Sequence, residues 1–203
     1  MDYINSSSLD AEKNKYIGQI ACKLKDLMRP SLFEHSISTL EFALKMAGAG
    51  WQTADIYQLS LASLVHDYGK IFNTAALKHI AREDELGISE FELGLEPILH
   101  SLVGGHLISR DLDINDKKII RAVKIHTIGA ESMTLEEKIL FIADKVEKTR
   151  KYRGVEHLRE LALKDINLCL IEVYKNTIIY VINKNSLLHP DTSRIWNIIC
   201  GGK

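Results

Sequence analysis

Apolar side chains recur with the spacing of an α-helix along almost the whole chain, and no convincing run alternates apolar and polar residues as a strand would. No internal repeat of solenoid length is apparent either. In the first segment, 9–28, the apolar stripe is formed by Ile17, Ile20, Ala21, Leu24, Leu27 and Met28. Pro30 should end this segment, because the residue before a proline disfavours helical geometry. The sequence therefore predicts an all-α fold.

Capping residues and glycines divide this pattern into successive helices. Ser31 is the predicted N-cap of a second helix, which should end at the glycines near residue 50. A third helix is predicted over 54–68, and two shorter ones over 75–85 and 97–110. These helices carry most of the histidines in the chain.

The second half of the chain shows the same signals. Asn115 and Asp116 should cap one helix, and the capping box Thr134–Glu137 should open another that runs to about Arg150. Gly154 then breaks the chain, and we expect a helix pair and a last helical segment after it. The length of 203 residues suits one domain with a helical extension.

Composition excludes several classes of protein. Lys and Arg total 26 against 27 Asp and Glu, so the net charge of -1 predicts neither nucleic acid nor an anionic membrane as a partner. The N-terminus lacks a signal-peptide pattern, and the longest apolar runs are far short of a membrane span. The three cysteines, Cys22, Cys169 and Cys200, make neither a CxxC pair nor a disulfide framework, which favours a reduced, cytoplasmic setting.

A small set of histidines and acids predicts a metal site. Asp67 follows His66 directly at the end of an apolar helix, and His35 lies upstream in an amphipathic helix. Asp144 is embedded in the apolar run Ile139–Val146. Because a buried carboxylate is usually paired or metal-bound, two imidazoles and two acids from three helices form a plausible site for a divalent cation. Such ligands suit iron, manganese, cobalt or zinc.

Other residues are candidates for the same centre. His100 and His126 stand where they could face it, and with Lys70 they could hold an anionic ligand or a second metal. Each has a structural alternative, since a histidine on an apolar face is often a core residue and a lysine can complement a helix dipole. Asp144 could likewise pair with an arginine. Spacing alone leaves both interpretations open. We interpret the other four histidines as surface or packing residues: His79, His106, His157 and His189.

At these residues the sequence resembles a known family. The order of His35, His66-Asp67 and Asp144 resembles the HD-domain superfamily of metal-dependent phosphohydrolases, and the motifs are specific to the YqeK family within it. The motifs that carry this resemblance are Leu64–Lys70, His126–Gly129, Glu137–Glu147 and Arg150–Val155. The resemblance runs from about residue 28 to residue 197. It implies an HD-domain helical bundle over about 29–150 with a C-terminal helical flank over about 151–203, both within a single domain spanning 1–203.

The family resemblance also implies a function. Its members are symmetrical bis(5'-nucleosyl)-tetraphosphatases, which cut diadenosine tetraphosphate at its centre to give two ADP. By that resemblance the metal, iron in the first instance, would be held by His35, His66, Asp67 and Asp144. Asp67 and Lys70 would be catalytic. The nucleotide phosphates would be contacted by Lys70, His100, His126 and Arg150. His100 and His126 also match positions that bind a second metal in other HD enzymes.

Two rival functions stay open at this stage. One is an HD phosphohydrolase that acts on a deoxynucleotide, a cyclic dinucleotide or an alarmone. The other is a non-catalytic module with a structural metal. The family pattern as we picture it often has a basic residue where Phe33-Glu34 stand, and another small residue at Gly69. A homodimer is the commonest soluble assembly, but the sequence reveals no interface.

Overall fold

The computed structural model describes residues 9–201, and within that range it contains eleven α-helices and no strand. The all-α class predicted from the sequence is confirmed. In chain order the helices are α1 Ala11–Leu27, α2 Pro30–Ala49, α3 Ile56–Val65, α4 Thr74–Glu83, α5 Glu90–Gly94, α6 Glu96–Leu112, α7 Lys117–Ile125, α8 Leu135–Val146, α9 Val155–Ala162, α10 Ile166–Asn183 and α11 Asp191–Gly201. No helix in this part of the chain has the length and apolar character needed to cross a membrane.

The predicted start of α2 is wrong by two residues. Arg29 occupies the N-cap position without a side-chain cap, and Pro30 is the first helical residue. Proline suits that position because its fixed φ is already helical and its missing N–H would have no partner there. Ser31 therefore lies inside the first turn. Of the two residues predicted to cap α7, Asp116 is the N-cap, whereas the Asn115 side chain pairs with Ser109 and Asp113 instead. The predicted capping box of Thr134 and Glu137 at the start of α8 is confirmed.

Two helices end earlier than predicted, and both endings supply site residues. Helix α3 stops at Val65, and Asp67 leaves helical geometry before a 3₁₀ turn at Tyr68–Ile71. Helix α8 stops at Val146, and the backbone of the C-cap residue Glu147 has left helical geometry. The short helix α5 was missed, although the capping box between Ser89 and Glu92 marks its start.

The buried apolar side chains form two clusters. The first lies mainly among α1, α3, α4, α6 and α7, with further residues from α2 and α8, and includes Leu64, Leu99 and Leu107. The second joins the C-terminal helices to α2 and α8, where Tyr174 of α10 stacks on Phe141 of α8 with ring centroids 5.7 Å apart. Helix α8 contributes to both clusters, so the C-terminal flank packs directly on the helix that carries Asp144.

Gly69 allows the 3₁₀ turn to approach α6. A Cβ atom at this position would lie 2.2 Å from the backbone carbonyl oxygen of His100, far inside contact distance. An alanine would therefore force the turn and α6 apart. Gly69, which departs from the family pattern, therefore stands at a position with room for glycine only. The close approach of the turn to α6 brings His100 beside Asp67.

Candidate metal centre

Three helices bring four ligand-type side chains to one point. His35 lies on α2, His66 and Asp67 follow the end of α3, and Asp144 lies on α8. Nε2 of His35 is 3.0 Å from Oδ1 of Asp144 and 3.2 Å from Nε2 of His66. Oδ2 of Asp67 is 3.4 Å from Nε2 of His35 and 3.5 Å from Nε2 of His66. We call these four residues the primary cluster.

A second group of ligand atoms shares Asp67 with the primary cluster. Oδ1 of Asp67 lies 3.2 Å from Nε2 of His100 on α6 and 3.4 Å from Nε2 of His126 at the end of α7. The two imidazole nitrogens are 3.2 Å apart. We call Asp67, His100 and His126 the secondary cluster. Asp67 thus presents one carboxylate oxygen to each cluster, as a ligand that bridges two cations would.

Backbone carbonyls fix the orientation of two imidazoles. Nδ1 of His66 donates a hydrogen bond to the carbonyl of Ser63 at 2.8 Å, and Nδ1 of His126 donates to the carbonyl of Val123 at 2.7 Å. Because a carbonyl only accepts, each Nδ1 carries a hydrogen, so Nε2 is the ring atom that faces the cluster and the one that can bind a metal. Metal-binding histidines in proteins are oriented in this way.

Glu147 orients the third imidazole, a role that was not predicted from the sequence. Its Oε1 lies 3.1 Å from Nδ1 of His35, while the backbone N–H and hydroxyl of Thr149 donate to the same carboxylate. Glu147 is fully buried. Its signal in the sequence was its position at the end of the apolar run, three residues after Asp144.

The cluster concentrates negative charge. Burial would raise the pKa of Asp67, but the imidazoles of His66, His100 and His126 hold it well below its usual range. Burial would lower the pKa of His35, yet hydrogen bonds to Asp144, Asp67 and Glu147 raise it to about 10. The negative charge of these three carboxylates favours a proton on His35, and it favours any other cation at the same place.

The histidines of the secondary cluster behave in the opposite way. Burial lowers the pKa of His126 to about 3 and outweighs the opposing effect of Asp67. Burial also lowers the pKa of His100. Both rings are therefore neutral near pH 7. A neutral imidazole is the form that binds a metal ion.

Three basic side chains lie at the open side of the clusters. Nζ of Lys70 donates to Oδ2 of Asp67 at 2.7 Å, and Nη2 of Arg150 donates to Oδ1 of Asp144 at 2.9 Å. Nζ of Lys145 donates to the other oxygen of Asp144 at 2.9 Å. Lys145 was not singled out from the sequence, although it directly follows Asp144. Lys70 and Arg150 are partly exposed, so they can also meet an anionic ligand.

The residues present fit a divalent metal. Oδ1 of Asp67 is buried and has no hydrogen-bond partner of acceptable geometry among residues 9–201, although two imidazole nitrogens lie within 3.4 Å. A buried carboxylate oxygen without a partner is costly, and a cation between these atoms would satisfy it. The nitrogen and oxygen donors suit iron, manganese, cobalt or zinc.

Arg159 on α9 fixes the segment that carries Glu147 and Arg150. Its Nε donates to the carbonyl of Val146 at 2.6 Å, and its Nη2 donates to the carbonyls of Glu147 at 2.7 Å and Arg150 at 2.9 Å. One planar guanidinium therefore holds three carbonyls at and just after the end of α8. Arg159 acts on the clusters only through that segment, so it is a positioning residue.

Arg159→Lys is expected to weaken metal binding about 10-fold, within the range for partners of metal ligands. A single ammonium group cannot hold three carbonyls in this fork, so Glu147 would orient His35 less well. Chelator competition on the metal-loaded protein measures the effect. Arg153→Lys is the control, because Arg153 is exposed on the same segment. Equal metal affinity in the two variants would show that Arg159 does not position the ligands.

The family model for the HD domain matches residues 32–149, which include all six cluster residues. The chain belongs to the HD-domain family. Membership implies a bound divalent metal, and the resemblance to this family predicted from the sequence is confirmed. A solved HD-domain structure from Clostridium acetobutylicum, described as a "predicted HD superfamily hydrolase involved in NAD metabolism", is similar with a TM-score of 0.85 and 30% identity, covering 92% of this chain and 97% of that chain.

Two curated proteins are similar to this HD-domain chain over most of its length. The symmetrical bis(5'-nucleosyl)-tetraphosphatase of Bacillus subtilis is 30% identical, covering 90% of this chain and 96% of the relative. The protein of the same name from Halalkalibacterium halodurans is 32% identical, covering 86% and 94%. The likeness therefore extends beyond the matched HD domain to the C-terminal flank.

Proposed function

We propose that this HD-domain protein hydrolyses diadenosine tetraphosphate at its central anhydride to give two ADP. The observation that carries the proposal is the two-cluster centre around Asp67, in a chain similar to symmetrical bis(5'-nucleosyl)-tetraphosphatases over nearly its whole length. Water attacks one of the two inner phosphorus atoms, and the bond from that phosphorus to the bridging oxygen breaks. One half receives the hydroxyl group, and the other leaves as ADP.

The primary cluster would hold one metal ion, and we propose iron for it. A divalent cation at this site supplies a bound water of lowered pKa and neutralises phosphate charge. Asp67 orients the reacting water as well as contributing to both clusters, and Glu147 keeps His35 aimed at the centre. For His100 and His126 we propose a second metal rather than phosphate contacts, because their Nε2 atoms converge on the buried oxygen of Asp67.

Lys70, Lys145 and Arg150 would bind the phosphates. A phosphoanhydride repels nucleophiles through its negative charge, so cations on its oxygens assist attack. Lys70 would act as the catalytic cation beside Asp67, to which it donates a hydrogen bond. Arg150 suits a two-point contact with a phosphate, because its guanidinium is planar and partly exposed. Both side chains lie at the open side of the primary cluster.

The proposal is tested by the products. Metal-loaded protein incubated with diadenosine tetraphosphate should release ADP alone, measured by anion-exchange chromatography. AMP and ATP as products would contradict symmetrical cleavage, and greater activity on a deoxynucleotide, a cyclic dinucleotide or an alarmone would favour a different substrate. Elemental analysis of protein purified without added metal should find iron. Full activity with another metal and little with iron would contradict that assignment.

The remaining proposals concern the setting of the protein. We infer a reducing, cytoplasmic location, because Cys22, Cys169 and Cys200 are free thiols. We expect no nucleic acid or membrane partner, since the charge is balanced. The single domain over 1–203 and a homodimeric assembly stay predictions.

A further inference from the structure

Two cavities of about 360 Å³ each lie beside the metal centre, on either side of one ridge of α10. Thr177 and Tyr180 line both cavities and form that ridge. The two cavities differ in their walls, and we name them accordingly. The polar cavity includes Asp144 and its basic neighbours, whereas the apolar cavity lies between α6, α10 and the segment before α11.

The polar cavity joins the primary cluster directly. Asp144, Lys145 and Arg150 line its inner end, and Tyr152 lines it together with Tyr180. The two tyrosines are 40% and 63% exposed, so their rings are available to a ligand. Cations followed by aromatic rings match a phosphate chain that ends in a nucleoside, because every base can stack on an aromatic face.

The apolar cavity is lined by chain neighbours of the secondary-cluster histidines. Thr127, which follows His126, lines it, as does Pro97, one helical turn before His100. The aliphatic side chains of its wall belong to Ile98, Ile128, Ile178, Val181 and Leu188. The wall as a whole is mainly apolar, with Lys184 and His189 among its few polar residues, so it favours an uncharged part of a ligand over a phosphate. A base or a ribose is such an uncharged part.

We propose that the apolar cavity binds the second nucleoside of the dinucleoside polyphosphate, while the first nucleoside occupies the polar cavity. This inference rests on the proposed function. The volume lies in the usual range for small-molecule sites, and a few polar side chains, among them Thr177 and Lys184, are available to orient a ribose or base. A substrate held at both ends would present the middle of its phosphate chain, rather than one end, to the metal centre that Asp144 joins to the polar cavity, which is what a central cut requires.

Filling the apolar cavity tests the proposal. Val181→Trp places a large ring in the cavity, and Ile182→Trp is the matched control, because Ile182 is 55% exposed and does not line the cavity. The measurements are the KM for diadenosine tetraphosphate and the inhibition constant of adenosine 5'-tetraphosphate, which carries a single nucleoside. Loss of one stacked base corresponds to about a 10-fold change or more in binding affinity, since stacking contributes roughly 1–3 kcal/mol.

The expected result is a KM raised about 10-fold in Val181→Trp with an unchanged inhibition constant. Ile182→Trp should match the wild type in both. The inference is overturned if both tryptophan variants bind the dinucleotide equally, or if Val181→Trp weakens both ligands alike. Leu188→Trp repeats the test if Val181→Trp does not fold. Wild-type protein that releases no ADP would instead contradict the proposed function. Failure of the proposed function is therefore distinguishable from failure of the inference about the second nucleoside.

Discussion

Asp67→Asn is expected to lower the rate of ADP release from diadenosine tetraphosphate by about 10³-fold or more. Asp67 presents one carboxylate oxygen to each cluster, with Oδ2 near His35 and Oδ1 near His100. An amide brings no negative charge and can offer only one oxygen. Losing about 4 kcal/mol of metal-dependent charge stabilisation corresponds to three orders of magnitude in rate. Product release at saturating substrate, with metal content measured in parallel, checks the prediction.

Asp84→Asn is the matched control for this experiment. Asp84 is also an aspartate hydrogen-bonded to a histidine, at 2.7 Å from His106, but the pair lies on the surface and outside both clusters. Exposed pairs of this kind contribute little to stability. The control should keep wild-type activity and metal content. A folded Asp67→Asn protein that still releases ADP at the wild-type rate would place the reaction elsewhere in the chain.

The sequence predicted the helices well because their signals are local. A 3.6-residue apolar period, the Asp116 cap and the Thr134 capping box all act within one or two turns. The ends of α3 and α8 were missed because nothing local requires them. Helix α8 stops where Glu147 must turn away to meet His35, which lies 112 residues earlier in the chain. Tertiary contacts decided those boundaries.

The candidate site shows the same division. Ligand-type residues such as His66 and Asp67 stand out in a sequence because their chemistry is unusual in an apolar helix. Their neighbours do not, since Lys145 and Arg159 resemble ordinary surface cations until the fold directs them to Asp144 and to three carbonyls. The close approach at Gly69 is equally invisible, because it depends on the backbone of α6.

His100→Gln distinguishes the two roles open to the secondary cluster. If His100 holds a second metal, glutamine should lower the metal content from about two ions to about one per chain. It should also reduce kcat by about 10²-fold, because losing a metal ligand costs at least as much as losing a partner of a metal ligand. If His100 instead donates to a phosphate, the glutamine amide still donates, and only KM should rise. We expect the first result, because Nε2 of His100 points to Asp67 and His126.

The control for that variant lies on the same helix. His106→Gln removes an imidazole of α6 whose partner is the surface carboxylate of Asp84, so metal content and kcat should match the wild type. Elemental analysis and steady-state kinetics on both variants give the comparison. A His100→Gln protein that retains two metal ions with a raised KM would assign the histidine to phosphate binding. Unchanged metal content in that variant would also show that His100 is not needed to hold either ion.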